Sequence, residues 1–193
     1  MVITTSPLVK TYTLQEFWDL PEPADRSKLE LIKGVLYMTP PPDFPHDQAA
    51  SDLIVQLQKA IEKCGYRGNV YVPRAAIWVD DDTYLEPDLM YISKELQSEM
   101  DPRHWTRAEI VIEITSPSTA YYDGRTKSDT YPAMSVRELW LVDTERKEIE
   151  VRSFDFGRTA VYKVTGILRS EVLSKIEIPV AAVFGTTPQA LID

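Results

Sequence analysis

Apolar residues at Ala50, Leu53, Ile54, Leu57, Ile61 and Cys64 recur at spacings of three and four. That period puts them on one side of a helix spanning about residues 46–64, and Gly65 supplies its C-terminal stop. A shorter helix is predicted over 13–20 (TLQEFWDL), where Thr13 and Glu16 have the spacing of a capping box and Pro21 follows. Between them LELIKGVLYM (29–38) reads as a hairpin turning at Lys33-Gly34, and the triple proline at 40–42 forces a loop. Beyond the long helix, NVYVPRAAIWV (69–79) and EPDLMYI (86–92) read as strands joined by the acidic turn Asp80-Asp81-Asp82. A polar stretch over 93–108 leads into the strand EIVIEIT (109–115), which stops at Ser116-Pro117-Ser118. Residues 119–134 fit a helix that Pro132 ends, and RELWLVD (137–143) with EIEVRSF (148–154) forms a second hairpin. Short strands and the apolar PVAAVF close the chain.

This order of elements predicts an α/β or α+β fold, one mixed sheet flanked by helices with an additional N-terminal hairpin. The 193 residues show no internal repeat, low-complexity segment or dividing linker, so residues 1–193 are expected to form a single domain. Composition changes this picture little. One cysteine, Cys64, excludes an intrachain disulfide framework and a cysteine-only metal cage. The first residues have no long apolar core, and no stretch reaches the apolar length of a membrane span, so a cytoplasmic protein is expected.

Charge matters more. The net charge of −9 argues at face value against a nucleic-acid partner, but it is uneven: residues 1–100 carry −7 and residues 101–193 only −2. Several reaction classes drop out. There is no glycine-rich phosphate loop, no GxSxG elbow, and the two histidines lie 58 residues apart, which rules out an HExxH zinc site.

Two carboxylates stand out. Glu113 sits inside a strand of otherwise buried character, and Asp88 lies in another, just after Pro87. Acids of this kind need a partner. Two readings satisfy them: a hard divalent cation such as Mg²⁺ shared between the strands, or strand-end pairing with arginines and backbone donors. Asp123, Lys127 and Tyr131 recur every four residues and would share one helix face, either near the Glu113 strand end or as a surface ion pair.

The blocks EPD (86–88), VIEITSPST (111–119), DGRTKSDTY (123–131) and VRELWLVD (136–143), preceded by LELIKGVLYM and His46, together resemble the Uma family of endonucleases, a branch of the PD-(D/E)XK superfamily. The resemblance implies a restriction endonuclease-like core and Mg²⁺- or Mn²⁺-dependent hydrolysis of phosphodiester bonds in DNA, often by a homodimer. It makes Asp88, Glu113 and Glu30 the metal ligands, aided by the carbonyl of Ile114. The lysine expected two residues after Glu113 is replaced by Thr115, so Lys127 becomes the migrated cation, placing water and offsetting phosphorane charge. On that reading Lys127→Met should spare folding and slow cleavage. His46 matches a recurrent family histidine and joins the site. Arg67, Arg74, Arg103 and Arg107 are the candidate phosphate contacts. Two rivals stand beside this reading: a catalytically inactive binding protein on the same fold, and a metal-free hydrolase using an acid pair.

Overall fold

The computed structural model describes residues 10–115 and 122–185, without the side chain of Asp123. In chain order the elements that position the site are α1 (Leu14–Trp18), β1 (Lys28–Ile32), β2 (Val35–Thr39), α2 (Phe44–Lys63), β3 (Gly68–Tyr71), β4 (Ile77–Val79), β5 (Thr83–Leu85), β6 (Leu89–Ser93), α3 (Lys94–Glu99), β7 (Ile110–Thr115), β8 (Glu138–Asp143), β9 (Glu148–Ser153) and β10 (Arg158–Lys163).

The hairpin forms where its pattern predicts. Lys33 and Gly34 both take positive φ, 49° and 76°, and Ile32 faces Val35 across the turn. A two-residue turn of this hand matches the twist of the strands it joins. The expected capping box is also present: the Thr13 hydroxyl accepts from the Glu16 N–H at 3.2 Å, and the Glu16 carboxylate accepts from the Thr13 N–H at 2.9 Å. Thr13→Ala removes half of this box and is expected to destabilise the protein by about 1 kcal/mol in urea unfolding. No change in the unfolding midpoint would mean that α1 is held by packing alone.

The structure differs from the pattern at 69–79. The expected single strand is two, β3 and β4, in different sheets. Pro73 lies between them, where it can offer no ladder hydrogen bond. β4 pairs with β5, which pairs with β1, giving a four-stranded sheet ordered β2-β1-β5-β4. The Asp80-Asp81-Asp82 turn joins β4 to β5 and has a backbone role: the Asp81 and Asp82 carbonyls accept from the N–H groups of Leu14 and Gly34 at 2.7 and 2.8 Å.

The mixed sheet has six strands, ordered β10-β9-β8-β7-β6-β3. Only β7 and β8 run parallel; the other neighbours are antiparallel. Central β7 is buried along its whole length, and its side chains alternate between two faces. Ile110, Ile112 and Ile114 pack with Leu53, Leu57 and Ile61 of α2. Val111 turns to the opposite face, beside Tyr131, Met134 and, from the smaller sheet, Ile77 and Leu85. Glu113 shares the parity of Val111, so its carboxylate is directed to the side where the two sheets meet.

The connection from β7 to β8 carries the helical segment predicted for 119–134. Residues 116–121 lie outside the described residues. From Tyr122 the backbone winds as a wide π-type turn (Tyr122–Lys127), a short α turn (Ser128–Thr130) and a tight 3₁₀ turn (Tyr131–Met134). Pro132 falls in the first positions of that last turn, where a missing N–H removes no helical bond. Among the described residues no helix is long and apolar enough to cross a membrane.

Candidate active site

Asp88 stands immediately before β6 rather than within it. The β6–β7 ladder ends at Leu89 opposite Ile112. Asp88 Oδ2 then accepts the Ile114 N–H at 2.8 Å, so the side chain carries on where the backbone ladder stops. His46 Nε2 lies 3.2 Å from the same oxygen and Lys28 Nζ lies 3.6 Å from Oδ1. Burial opposes charge on Asp88, but the His46 hydrogen bond and the Lys28, His46 and Lys127 charges outweigh it and hold the carboxyl well below its usual range. The same contact works on His46 in reverse. Burial disfavours its protonation, and the hydrogen bond and charge of Asp88 overcome that and raise its pKa.

The helix start explains why His46 is there. The side chain of Asp43 caps α2 by accepting the His46 N–H at 3.0 Å. This fixes the first turn two residues earlier than the apolar pattern suggested and directs the imidazole at Asp88.

Glu113, Glu30 and Lys127 form a second group. Lys127 Nζ is 3.0 Å from Glu113 Oε1 and 2.9 Å from Glu30 Oε2, and its side chain is 1 % exposed. The Tyr131 hydroxyl donates to Glu113 Oε1. Glu30 also accepts from the Tyr122 hydroxyl at 3.2 Å and from the Glu86 N–H at 2.9 Å. Burial, followed by the neighbouring carboxylates Glu113 and Glu30 respectively, pushes the Tyr131 and Tyr122 phenols far up, so both remain donors. Tyr122 is itself held by stacking on Tyr37, with centroids 4.8 Å apart.

Of the three acids expected to share a metal, two reach one cleft and the third does not. Asp88, Glu113, Lys127 and His46 line a cleft of about 800 Å³. Glu30 is fully buried and is not part of the cleft lining. Among the described residues no three His, Cys, Asp or Glu side chains are arranged to cage a metal ion. The Lys127 ammonium instead lies between two of the expected ligands. The donors still suit a hard cation: Asp88 and Glu113 offer carboxylate oxygens to one cleft, and Oδ1 of Asp88 makes no hydrogen bond among the described residues. Because Lys127 is buried between two carboxylates, its removal is expected to cost stability, unlike the neutral effect on folding expected from the sequence.

The family model described as "Putative restriction endonuclease", named Uma2, matches residues 14–181. This chain belongs to the Uma2 family. A protein from Anabaena variabilis described as "a putative nuclease belonging to DUF820" has the same fold: its crystal structure aligns with a TM-score of 0.73, covering 90 % of this chain and 98 % of that one, at 16 % identity. No curated protein matches the chain. The restriction endonuclease-like core expected from the sequence blocks is thus present in this Uma2 chain, and the N-terminal hairpin forms part of the four-stranded sheet beside it.

Two site residues escaped the sequence reading. Lys28 reaches both Asp88 and Glu30, at 3.6 and 3.9 Å, and donates to the Glu86 carbonyl at 2.8 Å. It lies two residues before Glu30 on β1, so the period of a strand could have placed both on one side. Tyr122 carried no such signal, since its contact depends on how the 122–134 segment folds back. Of the four candidate arginines, Arg74 lines the cleft; Arg67, Arg103 and Arg107 do not, and Arg107 is held by Glu99 at 2.7 Å.

Proposed function

We propose that this Uma2 protein is a Mg²⁺- or Mn²⁺-dependent endonuclease that hydrolyses phosphodiester bonds in DNA. The observation that carries the reading is the pair Asp88 and Glu113, delivered from the start of β6 and from β7 to one cleft, with a lysine beside each. A hard divalent ion held by Asp88, Glu113 and the Ile114 carbonyl would supply Lewis-acid polarisation of the phosphate and a lowered pKa for the attacking water.

The chain's own residues do the rest. His46 and the Ile114 N–H fix the Asp88 carboxylate, leaving Oδ1 toward the cleft. Lys127 and Tyr131 fix Glu113 and supply positive charge and a donor behind it. Glu30 completes the setting from the neighbouring sheet by holding Lys127. In the reaction the water oxygen bonds to phosphorus and one bridging P–O bond breaks. The departing oxygen leaves as a hydroxyl, so the products are a phosphate monoester and an alcohol, with no change of oxidation state. Action in the cytoplasm belongs to the same reading, as does action as a homodimer, which rests on the family resemblance.

The test is nicking of supercoiled plasmid. Relaxed circles that appear with Mg²⁺ or Mn²⁺ and cease in excess chelator are the expected result. Full activity in chelator would move the assignment to metal-free acid-pair chemistry. DNA binding without nicking under any divalent ion would leave an inactive binding protein on this fold.

A further inference from the structure

The cation expected to meet substrate from sequence alone, Lys127, is committed elsewhere. Its ammonium bridges Glu30 and Glu113 at 2.9 and 3.0 Å and its side chain is almost entirely buried. Lys28 is placed differently. Its side chain is 24 % exposed and lines the cleft. An ammonium has three donors, and among the described residues only one is used, on the Glu86 carbonyl at 2.8 Å. The Asp88 and Glu30 carboxylates, at 3.6 and 3.9 Å, balance its charge from beyond hydrogen-bond distance. Lys28 therefore lines the cleft 3.6 Å from the oxygen of Asp88 proposed to hold the metal, with ammonium donors to spare for a phosphate bound there.

Two further cations line the same cleft from other segments. Arg26 precedes β1 in a turn of positive φ (65°), tied by its N–H to the Pro23 carbonyl at 3.1 Å. Arg74 follows Pro73, and its partner Glu22, at 3.5 Å, is itself highly exposed. Such a pair is weak and screened, so its exchange for a phosphate is cheap. Acids line the cleft as well: Asp88 has His46 beside it and Glu113 has Lys127, while Asp43, Asp47 and Glu86 complete the wall. A divalent ion would add two more positive charges.

We propose that Lys28, Arg26 and Arg74 form a phosphate-binding track along the cleft, and that Lys28 rather than Lys127 contacts the phosphate undergoing cleavage. The track rests on the nuclease reading, since its ligand is a polyanionic backbone, and its role is positional at Arg26 and Arg74.

The test uses the full chain and a fluorescent 20-base-pair duplex, with Ca²⁺ in place of Mg²⁺ for binding. Each lost phosphate contact lowers the slope of log K against log salt by about 0.9. Lys28→Gln is expected to lower it by about 0.9, and the double variant Arg26→Gln/Arg74→Gln by about 1.8, whatever the duplex sequence. Arg107→Gln, outside the cleft, is the control and leaves the slope unchanged. In Mg²⁺, single-turnover cleavage by Lys28→Gln should fall about 10²–10³-fold, as for loss of one preorganised donor, and Lys28→Arg should restore most of it. A purely structural Lys28 would lower the melting temperature and leave the slope intact, which overturns the proposal. So would a wild-type protein that does not bind the duplex, or slopes equal in all variants. Altered slopes with no nicking in any divalent ion would sink the endonuclease reading and leave the track standing. Nicking with unaltered slopes would do the reverse.

Discussion

Asp88→Asn is expected to reduce plasmid nicking by about 10²–10³-fold, the usual range for losing one preorganised electrostatic group, while the protein still folds. The substitution keeps the shape of the side chain and an oxygen to accept the Ile114 N–H, so the extension of the β6–β7 ladder survives. What it removes is the negative charge that His46 and Lys28 surround. The same variant should separate metal binding from folding. Divalent ion that binds the native state raises its stability by mass action, by about 2.7 kcal/mol when the ion is at 100 times its Kd. A thermal-shift titration with Mg²⁺ should therefore raise the wild-type melting temperature and leave Asp88→Asn nearly unmoved. Equal shifts in the two proteins would place the ion elsewhere.

Lys127→Met is expected to be the most destabilising single change at the site. It leaves Glu30 and Glu113 facing one another in the interior without the ammonium that bridges them. Breaking a buried ion pair from one side typically costs about 3–5 kcal/mol. For a chain of this size that is a fall of roughly 6–20 °C in melting temperature, at about 2–4 °C per kcal/mol. Arg125→Met, two residues away at an exposed position, should stay within about 0.5 kcal/mol of wild type. Mg²⁺ should restore more stability to Lys127→Met than it adds to wild type, because a cation placed near Glu113 relieves the repulsion that the substitution exposes. Calorimetry with and without Mg²⁺ reads both effects. A melting temperature equal to that of Arg125→Met would show that Lys127 does not hold the carboxylate pair.

The parts of this fold that were legible are those where a period repeats for long enough. Helix α2 announced itself through six apolar positions, and the β1–β2 hairpin through its Lys33-Gly34 turn, which the positive φ values explain. The helix start was less visible, because Asp43 caps it ahead of the apolar pattern through a polar contact. Reading 69–79 as one strand failed because both halves are extended and only tertiary pairing assigns β3 to one sheet and β4 to the other. At the site, Asp88, Glu113, Glu30, Lys127 and His46 were each named from sequence, and the fold brings them together. Their division of labour was not legible. Whether Lys127 meets solvent or lies between two carboxylates depends on how β1 is laid against the mixed sheet, and four-residue spacing along its own segment carries no record of that.

Glu30 and Lys28 come from the smaller sheet, Asp88 and Glu113 from the larger one, and Lys127 from the connection to the parallel partner of β7. Contacts between Glu30 and Lys127 close a separation of 97 residues, and a parallel pair such as β7–β8 forms only after its crossover is in place. Non-local closures of this kind come late when a chain folds, because loop entropy is lost before they give anything back. The buried Glu30–Lys127–Glu113 group is thus a property of the folded whole: a nascent polypeptide that has assembled α2 and the first hairpin has not yet brought Lys127 to its two carboxylates.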